Sequence, residues 1–148
     1  MEFHLAQLNI ARALGAMDSA VMKEFSDGLV PVNATAEASE GFVWRLQDEN
    51  GDATNIQFFD DPNMLVNMSV WRDIASLKHF MFKTHHASFM ANRKSWFESS
   101  PEATYVLWWI EQGHIPSLEE AIERLDHLRK HGDTAYAFSF KQIFHTPE

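Results

Sequence analysis

The sequence predicts an α+β fold of the ferredoxin-like type, with elements in the order β-α-β-β-α-β and an added C-terminal helix and short strand. Two observations predict it. The two-residue alternation typical of strands occurs in three places, at 3–10, 41–46 and 64–71, and the segment 104–110 is strongly β-prone. Helical spacing of apolar residues follows the first and the third of these places. We expect one domain over residues 1–148, because no repeat or linker interrupts the chain.

The first strand, Phe3–Ile10, is predicted to have two unlike faces. One face can pack against a layer of helices and carries His4, Ala6, Leu8 and Ile10. The other face ends in two amides, Gln7 and Asn9. These amides either line a cavity and orient a substrate oxygen, or they cap a turn at the end of the strand.

A first helix is predicted next, because apolar residues recur there every four positions: Met17, Val21, Phe25 and Leu29. Asp18 or Ser19 can cap its start, and Gly28 with Pro31 is predicted to end it. The small and polar segment 32–40 is interpreted as a connection to the second strand.

The second strand, 41–46, is followed by Asn50-Gly51, a dipeptide typical of a tight hairpin turn. Residues 55–59 are a candidate continuation of that hairpin. The third strand, Met64–Trp71, alternates an apolar set with a set that mixes small polar groups and one aromatic: Leu65, Asn67, Ser69 and Trp71.

A long helix is predicted from Arg72 or Asp73 onwards, with a kink or change of helix near Thr84 and the doubled histidine. Five of its residues are spaced four, three, four and three positions apart and so share one face: Phe82, His86, Phe89, Arg93 and Trp96. Buried polar groups need partners, so the histidine and arginine in this aromatic stripe either close a structural network or point at a bound molecule.

The fourth strand, 104–110, is strongly β-prone, and a final helix follows it. Ser117 and Glu120 form a capping box at the start of that helix, and Gly132 is predicted to end it. A short last strand is predicted at Ala137–Phe140.

Composition excludes several functions. A net charge of −9, from 21 acidic and 12 basic residues, disfavours binding to nucleic acid or to an anionic membrane. The absence of cysteine excludes disulfides, thiolate nucleophiles and sulfur-ligated metals. His85 and His86 are adjacent and His79 lies two turns away, so we expect no non-haem metal site. Without a signal-peptide pattern or a long apolar run, we expect a soluble, cytoplasmic protein.

The predicted fold places helices on one face of the sheet only. We expect the opposite face to carry four polar and aromatic residues, Gln7, Asn9, Trp44 and Trp71. A large exposed aromatic surface is typical of an interface, so a second subunit is expected to cover it and the protein is predicted to be a homodimer.

Several segments resemble a family of uncharacterised bacterial proteins, the domain of unknown function 3291. The resemblance lies in LAQLNIAR (5–12), VNATAEASEGFVWRLQ (32–47), MSVWRDIASLKHFMF (68–82), His86 with RKSWF (93–97), VLWWIEQGHIPSLEEAIERL (106–125) and TAYAFSF (134–140). It implies a dimeric α+β barrel without an established activity. The wider superfamily includes cofactor-free quinol monooxygenases, haem-degrading monooxygenases and stress-responsive small proteins.

The resemblance also suggests site residues. In haem-degrading members an Asn on the first strand, a Trp after the third and a His on the next helix surround the ligand, and Asn9, Trp71 and His86 occupy similar places here. His79 or His85 could equally be the histidine that faces the cavity.

The candidate residues have both functional and structural interpretations. His86 is a candidate general base, or else a hydrogen-bonded core histidine. Arg93 can hold a carboxylate or a developing phenolate, or else pair with Glu98 or Glu102. Trp71 can form the wall of an aromatic site, or simply pack at the strand end. Asn9 is expected to orient a substrate carbonyl.

The leading hypothesis is binding of a small aromatic or hydrophobic metabolite, with cofactor-independent monooxygenation as the reaction. Gln7, Trp71, Phe82, Phe89 and Trp96 are then the ligand-binding residues. The alternatives are a non-catalytic carrier or sensor, a haem protein with His86 as axial ligand, and a structural dimer whose polar groups satisfy one another.

Overall fold

In the computed structural model, which describes residues 2–47, 56, 59–84 and 91–147, four strands form one antiparallel sheet in the order β2-β3-β1-β4. The strands are β1 (Phe3–Arg12), β2 (Phe42–Arg45), β3 (Met64–Trp71) and β4 (Tyr105–Glu111). The helices in these ranges are α1 (Lys23–Ala38), α2 (Ile74–Lys83) and α3 (Leu118–His131), with 3₁₀ turns at Ala20–Met22 and Arg93–Ser95. This order confirms the predicted ferredoxin-like α+β fold.

Helices cover both faces of the sheet. On one face, α3 packs against the apolar residues of β1, β3 and β4, among them Leu8, Met68 and Trp108, which are 0–1% exposed. On the other face, α1 and α2 pack against Leu5 and Trp71. A ferredoxin-like fold without an added helix would leave the α3 side of the sheet uncovered. Here α3, the added C-terminal helix, covers that side within one chain.

The predicted faces of the sheet need a correction. Gln7, Asn9 and Trp71 were expected on the face without helices, but they lie on the face that α1 and α2 cover. Trp44 does lie on the opposite face, where it packs with the α3 core. The expectation of an uncovered aromatic face is therefore wrong, because the polar alternation on β1 marks a cavity beneath the helices instead of a surface.

Helix α1 runs through the residues that were predicted to end it. It begins at Lys23, contains both Gly28 and Pro31, and ends only at Ala38. The interpretation of 32–40 as a connection is therefore wrong. Val32 and Ala36 pack against the core around Trp71, and this burial outweighs the low helical propensity of the preceding residues.

Helix α2 is shorter than predicted. Asp73 caps it by accepting a hydrogen bond from the backbone N–H of Ser76, and the helix ends at Lys83 because Thr84 is extended. The predicted break at Thr84 is confirmed. Phe82 lies in α2 and Arg93 in a separate 3₁₀ turn, so they do not share one helical face. The prediction that five residues form one stripe on a single helix is therefore wrong. His85, His86 and Phe89 lie outside the described residues.

The C-terminal helix begins and ends as predicted. The Ser117 hydroxyl accepts a hydrogen bond from the backbone N–H of Glu120 at 3.1 Å, and Gly132 closes the helix with a positive φ of 74°. The predicted last strand is reduced to two isolated bridges: Phe138 exchanges two backbone hydrogen bonds with Leu107, and Ser139 pairs with Gln142. The Asn50-Gly51 turn lies outside the described residues. Among the described helices, none has the length and apolar character needed to cross a membrane.

Candidate functional site

A cavity of about 180 Å³ lies between the sheet and helices α1 and α2. The sheet contributes its floor through alternate residues of β1 and β3, because side chains two positions apart point to the same face. Helix α1 contributes a wall through Leu29, Val32 and Ala36, and α2 contributes Leu77 and Phe80. The 3₁₀ turn after α2 brings Arg93 and Trp96 to the same cavity.

The floor of the cavity is polar and ordered by its own hydrogen bonds. The antiparallel register places Gln7 opposite Ser69, and Asn9 opposite Asn67. Gln7 Nε2 donates to Asn67 Oδ1 at 2.7 Å and to Ser69 Oγ at 2.8 Å. Trp71 Nε1 also donates to Ser69 Oγ at 2.8 Å. In this arrangement the Gln7 amide nitrogen faces β3.

This network leaves a defined set of groups for a ligand. Gln7 uses both hydrogens of its amide nitrogen, so its carbonyl oxygen stays an acceptor. The Ser69 hydroxyl accepts two hydrogen bonds, and its own hydrogen stays a donor. Within the described ranges, the half-buried Asn9 amide makes no hydrogen bond. The floor can therefore both donate to and accept from a bound oxygen or nitrogen.

The two ends of the cavity are aromatic. At one end Trp71, which is fully buried, stacks on Phe80 with ring centroids 5.1 Å apart and an interplanar angle of 23°. At the other end the ring centroids of Trp96 and Phe25 lie 5.6 Å apart, and Phe25 and Phe97 make an edge-to-face contact with centroids 4.9 Å apart. Flat apolar walls around a polar floor are typical of sites for small ring-shaped molecules.

Two arginines line the cavity, and they differ in their partners. Arg45 is held by Glu37, with Nη2 2.7 Å and Nε 2.9 Å from the same carboxylate oxygen. Arg93 makes no ion pair with any other described residue. The acids that were considered as its partners are engaged elsewhere, Glu98 with Arg12 and Glu102 with Arg129, each at 3.4 Å.

The structure brings together five of the residues singled out in the sequence, and these are Gln7, Asn9, Trp71, Arg93 and Trp96. Phe82 is not among the residues that line the cavity. It is 50% exposed and its ring contacts Phe140. His79 is exposed on α2. Their roles and those of His86 and Phe89 stay predictions.

Sequence reasoning missed four polar residues of the cavity, Asn33, Arg45, Asn67 and Ser69. The last two carried a signal, because they continue the same polar alternation along β3 that Gln7 and Asn9 show on β1. Arg45 carried none. An irregularity of β2 places Arg45 opposite Ser69 and Phe42 opposite Trp71, so both point to the sheet face that α1 and α2 cover despite their odd separation.

A pair of histidines on α3 was also missed. His127 and His131 are four residues apart, and their ring centroids lie 4.5 Å from each other. Among the described residues, no group of three or more His, Asp or Glu side chains is arranged to hold a metal ion. The rings pack beside Tyr136, 4.8 Å from His127, and we assign them no metal.

The chain belongs to the family described as a domain of unknown function, DUF3291, whose sequence model matches residues 4–148. No curated protein matches it.

Two solved structures resemble the described fold. SnoaB from Streptomyces nogalater, described as a cofactor-independent oxygenase and solved in a mutant form, aligns with a TM-score of 0.51 and 16% identity. PA3566 from Pseudomonas aeruginosa aligns with a TM-score of 0.50 and 15% identity. Each alignment covers 77% of this chain and 98% of the other. At such low identity, the likeness establishes the ferredoxin-like fold alone.

Proposed function

We propose that this protein binds a small molecule built on a single aromatic ring, in the cavity between the sheet and helices α1 and α2. The observation that supports this proposal is a cavity of about 180 Å³ with aromatic ends and a polar floor. An apolar protein cavity of about 150 Å³ accepts benzene. The volume therefore suits one ring with one or two substituents.

The polar floor argues against a merely apolar ligand. The Gln7 amide and the Ser69 hydroxyl can each make a further hydrogen bond. A hydrocarbon would leave both groups without a partner, and a buried polar group without a partner makes binding less favourable. A ring substituent with oxygen can accept from Ser69 or Asn9 and donate to the Gln7 carbonyl. These groups can select both the chemistry and the orientation of the ring.

Cofactor-independent oxygenation of such a ligand is the finer part of the proposal. It is supported by the family fold and by the description of SnoaB as a cofactor-independent oxygenase. In this proposal His86 removes a proton from a substrate CH2 group and Asn9 orients the neighbouring carbonyl. The substrate supplies all four electrons that reduce O2, so that one oxygen atom becomes a new carbonyl on that carbon and the other leaves as water. Oxygen consumption that depends on added substrate and falls at least tenfold in His86→Ala would support it; unchanged turnover would contradict it.

The cavity volume disfavours haem. A porphyrin consists of four linked pyrrole rings, whereas about 180 Å³ suits one ring. We therefore propose that this cavity binds no haem, and a Soret shift upon haem titration that is lost in a cavity-filling variant would contradict the proposal.

A cavity-filling substitution tests ligand binding directly. Ala36 is buried on α1 and lines the cavity, so Ala36→Leu places a larger apolar side chain in the space that a ring needs. We expect phenol affinity to fall by roughly tenfold, or about 1.4 kcal/mol. Two-dimensional NMR titration of the protein with phenol measures this change.

Ala34→Leu is the matched control, because Ala34 is an exposed residue of the same helix. This variant should bind phenol like the unchanged protein. Equal phenol affinities in all three proteins, or a failure of the unchanged protein to bind phenol and the other single-ring probes named below, would overturn the proposed function.

The homodimer and the cytoplasmic location stay predictions. The structural argument for the dimer no longer holds, since α3 covers the sheet face that a partner was expected to bury. The prediction now depends on the family resemblance, and native mass spectrometry tests it. We expect a mass near twice 17.0 kDa, and a mass of 17.0 kDa at micromolar concentration would contradict the dimer.

A further inference from the structure

We infer that the ligand of this cavity is an anion, a ring that carries a carboxylate or a phenolate, and that Arg93 holds its negative charge. This inference rests on the proposed function and deepens it. The first observation is the charge of the lining. The described residues that line the cavity include two arginines and no aspartate or glutamate, although acids outnumber bases 21 to 12 in the whole chain. The cavity thus reverses the charge balance of the protein.

The second observation is the difference between the two arginines. Arg45 already has a carboxylate partner, and its side chain is only 12% exposed. It contributes little net charge to a ligand, because Glu37 neutralises it at 2.7 Å. Arg93 has no acidic partner in the described part of the chain, since Glu98 and Glu102 pair with other arginines. Its guanidinium therefore keeps its full charge and its hydrogen-bond donors for a ligand.

The third observation is that the backbone around Arg93 is held in place. Its carbonyl accepts hydrogen bonds from the N–H groups of Trp96, at 3.1 Å, and Phe97, at 2.9 Å. Trp96 is 3% exposed, and its own carbonyl accepts from the N–H of Leu14 at 2.7 Å. The buried Trp96 thus links the 3₁₀ turn to the end of β1. These hydrogen bonds hold the backbone of Arg93 in place beside the cavity.

The remaining groups complete a site for an aromatic acid. Guanidinium geometry suits the two oxygens of a carboxylate. Trp71 and Phe80, at the end of the cavity opposite Trp96, can contact the face or edge of the ring. A neutral ring of the same shape keeps the aromatic contacts but loses the charge pairing.

Benzoate and benzamide test this inference, because they share size and shape and differ in charge. We expect the unchanged protein to bind benzoate about fivefold more tightly than benzamide, the ratio typical of an ion pair that is partly exposed to solvent. Arg93→Gln should abolish that preference by weakening benzoate binding about fivefold, with benzamide binding unchanged. NMR titration at fixed, moderate ionic strength gives all the affinities.

Lys94→Gln is the matched control. Lys94 follows Arg93 in the same 3₁₀ turn, is exposed and does not line the cavity, so the variant makes the same change in net charge without touching the site. It should keep the benzoate preference. Equal binding of the two probes, an unaffected preference in Arg93→Gln, or an equal loss in Lys94→Gln would overturn the anionic ligand while leaving the proposed function in place. Failure of both probes and of phenol to bind would overturn the proposed function itself.

Discussion

Gly41→Ala is expected to lower the free energy of unfolding by about 3 kcal/mol, because two costs combine at this residue. Gly41 precedes β2 and has a φ of +85°, a conformation that side chains with a Cβ rarely adopt. A Cβ added there would collide with both the Cβ and the hydroxyl of Ser76. Ser76 is itself buried and cannot move without loosening the Asp73 cap of α2.

The same glycine also ties β2 to α2 through its backbone. Its carbonyl accepts a hydrogen bond from the N–H of Arg72 at 2.7 Å, and Arg72 directly follows β3. A shift of Gly41 would therefore disturb the strand end that carries Trp71 as well as the start of α2. Thermal unfolding followed by circular dichroism should show a decrease in Tm of about 10 °C for a chain of this size.

Gly113→Ala separates the two costs. Gly113 also has a positive φ, +93°, but an added Cβ would meet no atom within 4 Å. We expect the free energy of unfolding of this control to fall by only about 1 kcal/mol, the cost of a positive φ for a residue with a Cβ. If Gly41→Ala were destabilised no more than Gly113→Ala, this result would contradict the close packing of Gly41 against Ser76.

Elements with strong local signals could be predicted from the sequence. The bounds of β3, Met64–Trp71, are those that the alternation predicts, because its apolar side chains are buried or half-buried whereas Asn67 is exposed. Helix α3 begins after its predicted cap at Ser117 and ends before Gly132. In both cases the information lies in neighbouring residues, so no distant contact is needed to interpret it.

Elements that depend on distant contacts could not be predicted. Gly28 and Pro31 are correct signals for the end of an isolated helix, but Ala36 is buried against the core around Trp71, and this contact keeps the chain helical to Ala38. The face of the sheet that carries the amides was misassigned for a related reason. The ferredoxin-like order gives helices to one face only, and nothing in the alternation of β1 tells which face α3 will cover.

The candidate site was predicted in part. Gln7 and Asn9 stood out because amides interrupt an otherwise apolar strand, and both line the cavity. Arg93 was placed by helical spacing from Phe82, yet it reaches the cavity from a 3₁₀ turn after the chain has left α2 at Thr84. Arg45 could not be found, because the irregularity of β2 that turns it inward leaves no trace in the sequence.

Trp108→Ala is expected to have the largest effect on stability, a loss of about 4 kcal/mol. Trp108 is fully buried on the sheet face that α3 covers, and its Nε1 donates to Glu120 Oε2 at 2.8 Å. The other oxygen of the same carboxylate lies 2.7 Å from His114 Nε2. The substitution would leave a large cavity and remove one of the partners of Glu120, so α3 would lose its anchor on β4.

Trp109→Ala is the matched comparison, since Trp109 is the next residue of β4 and faces the other side of the sheet. It is half-buried, and its Nε1 donates to the backbone carbonyl of Phe144 at 2.9 Å. We expect Trp109→Ala to lower the free energy of unfolding by roughly 2 kcal/mol, because Trp109 is less buried than Trp108. Urea unfolding followed by far-ultraviolet circular dichroism measures both variants without depending on tryptophan fluorescence. A loss in Trp108→Ala no greater than in Trp109→Ala would mean that α3 does not cover this face of the sheet, and the aromatic surface would again need a second subunit to bury it.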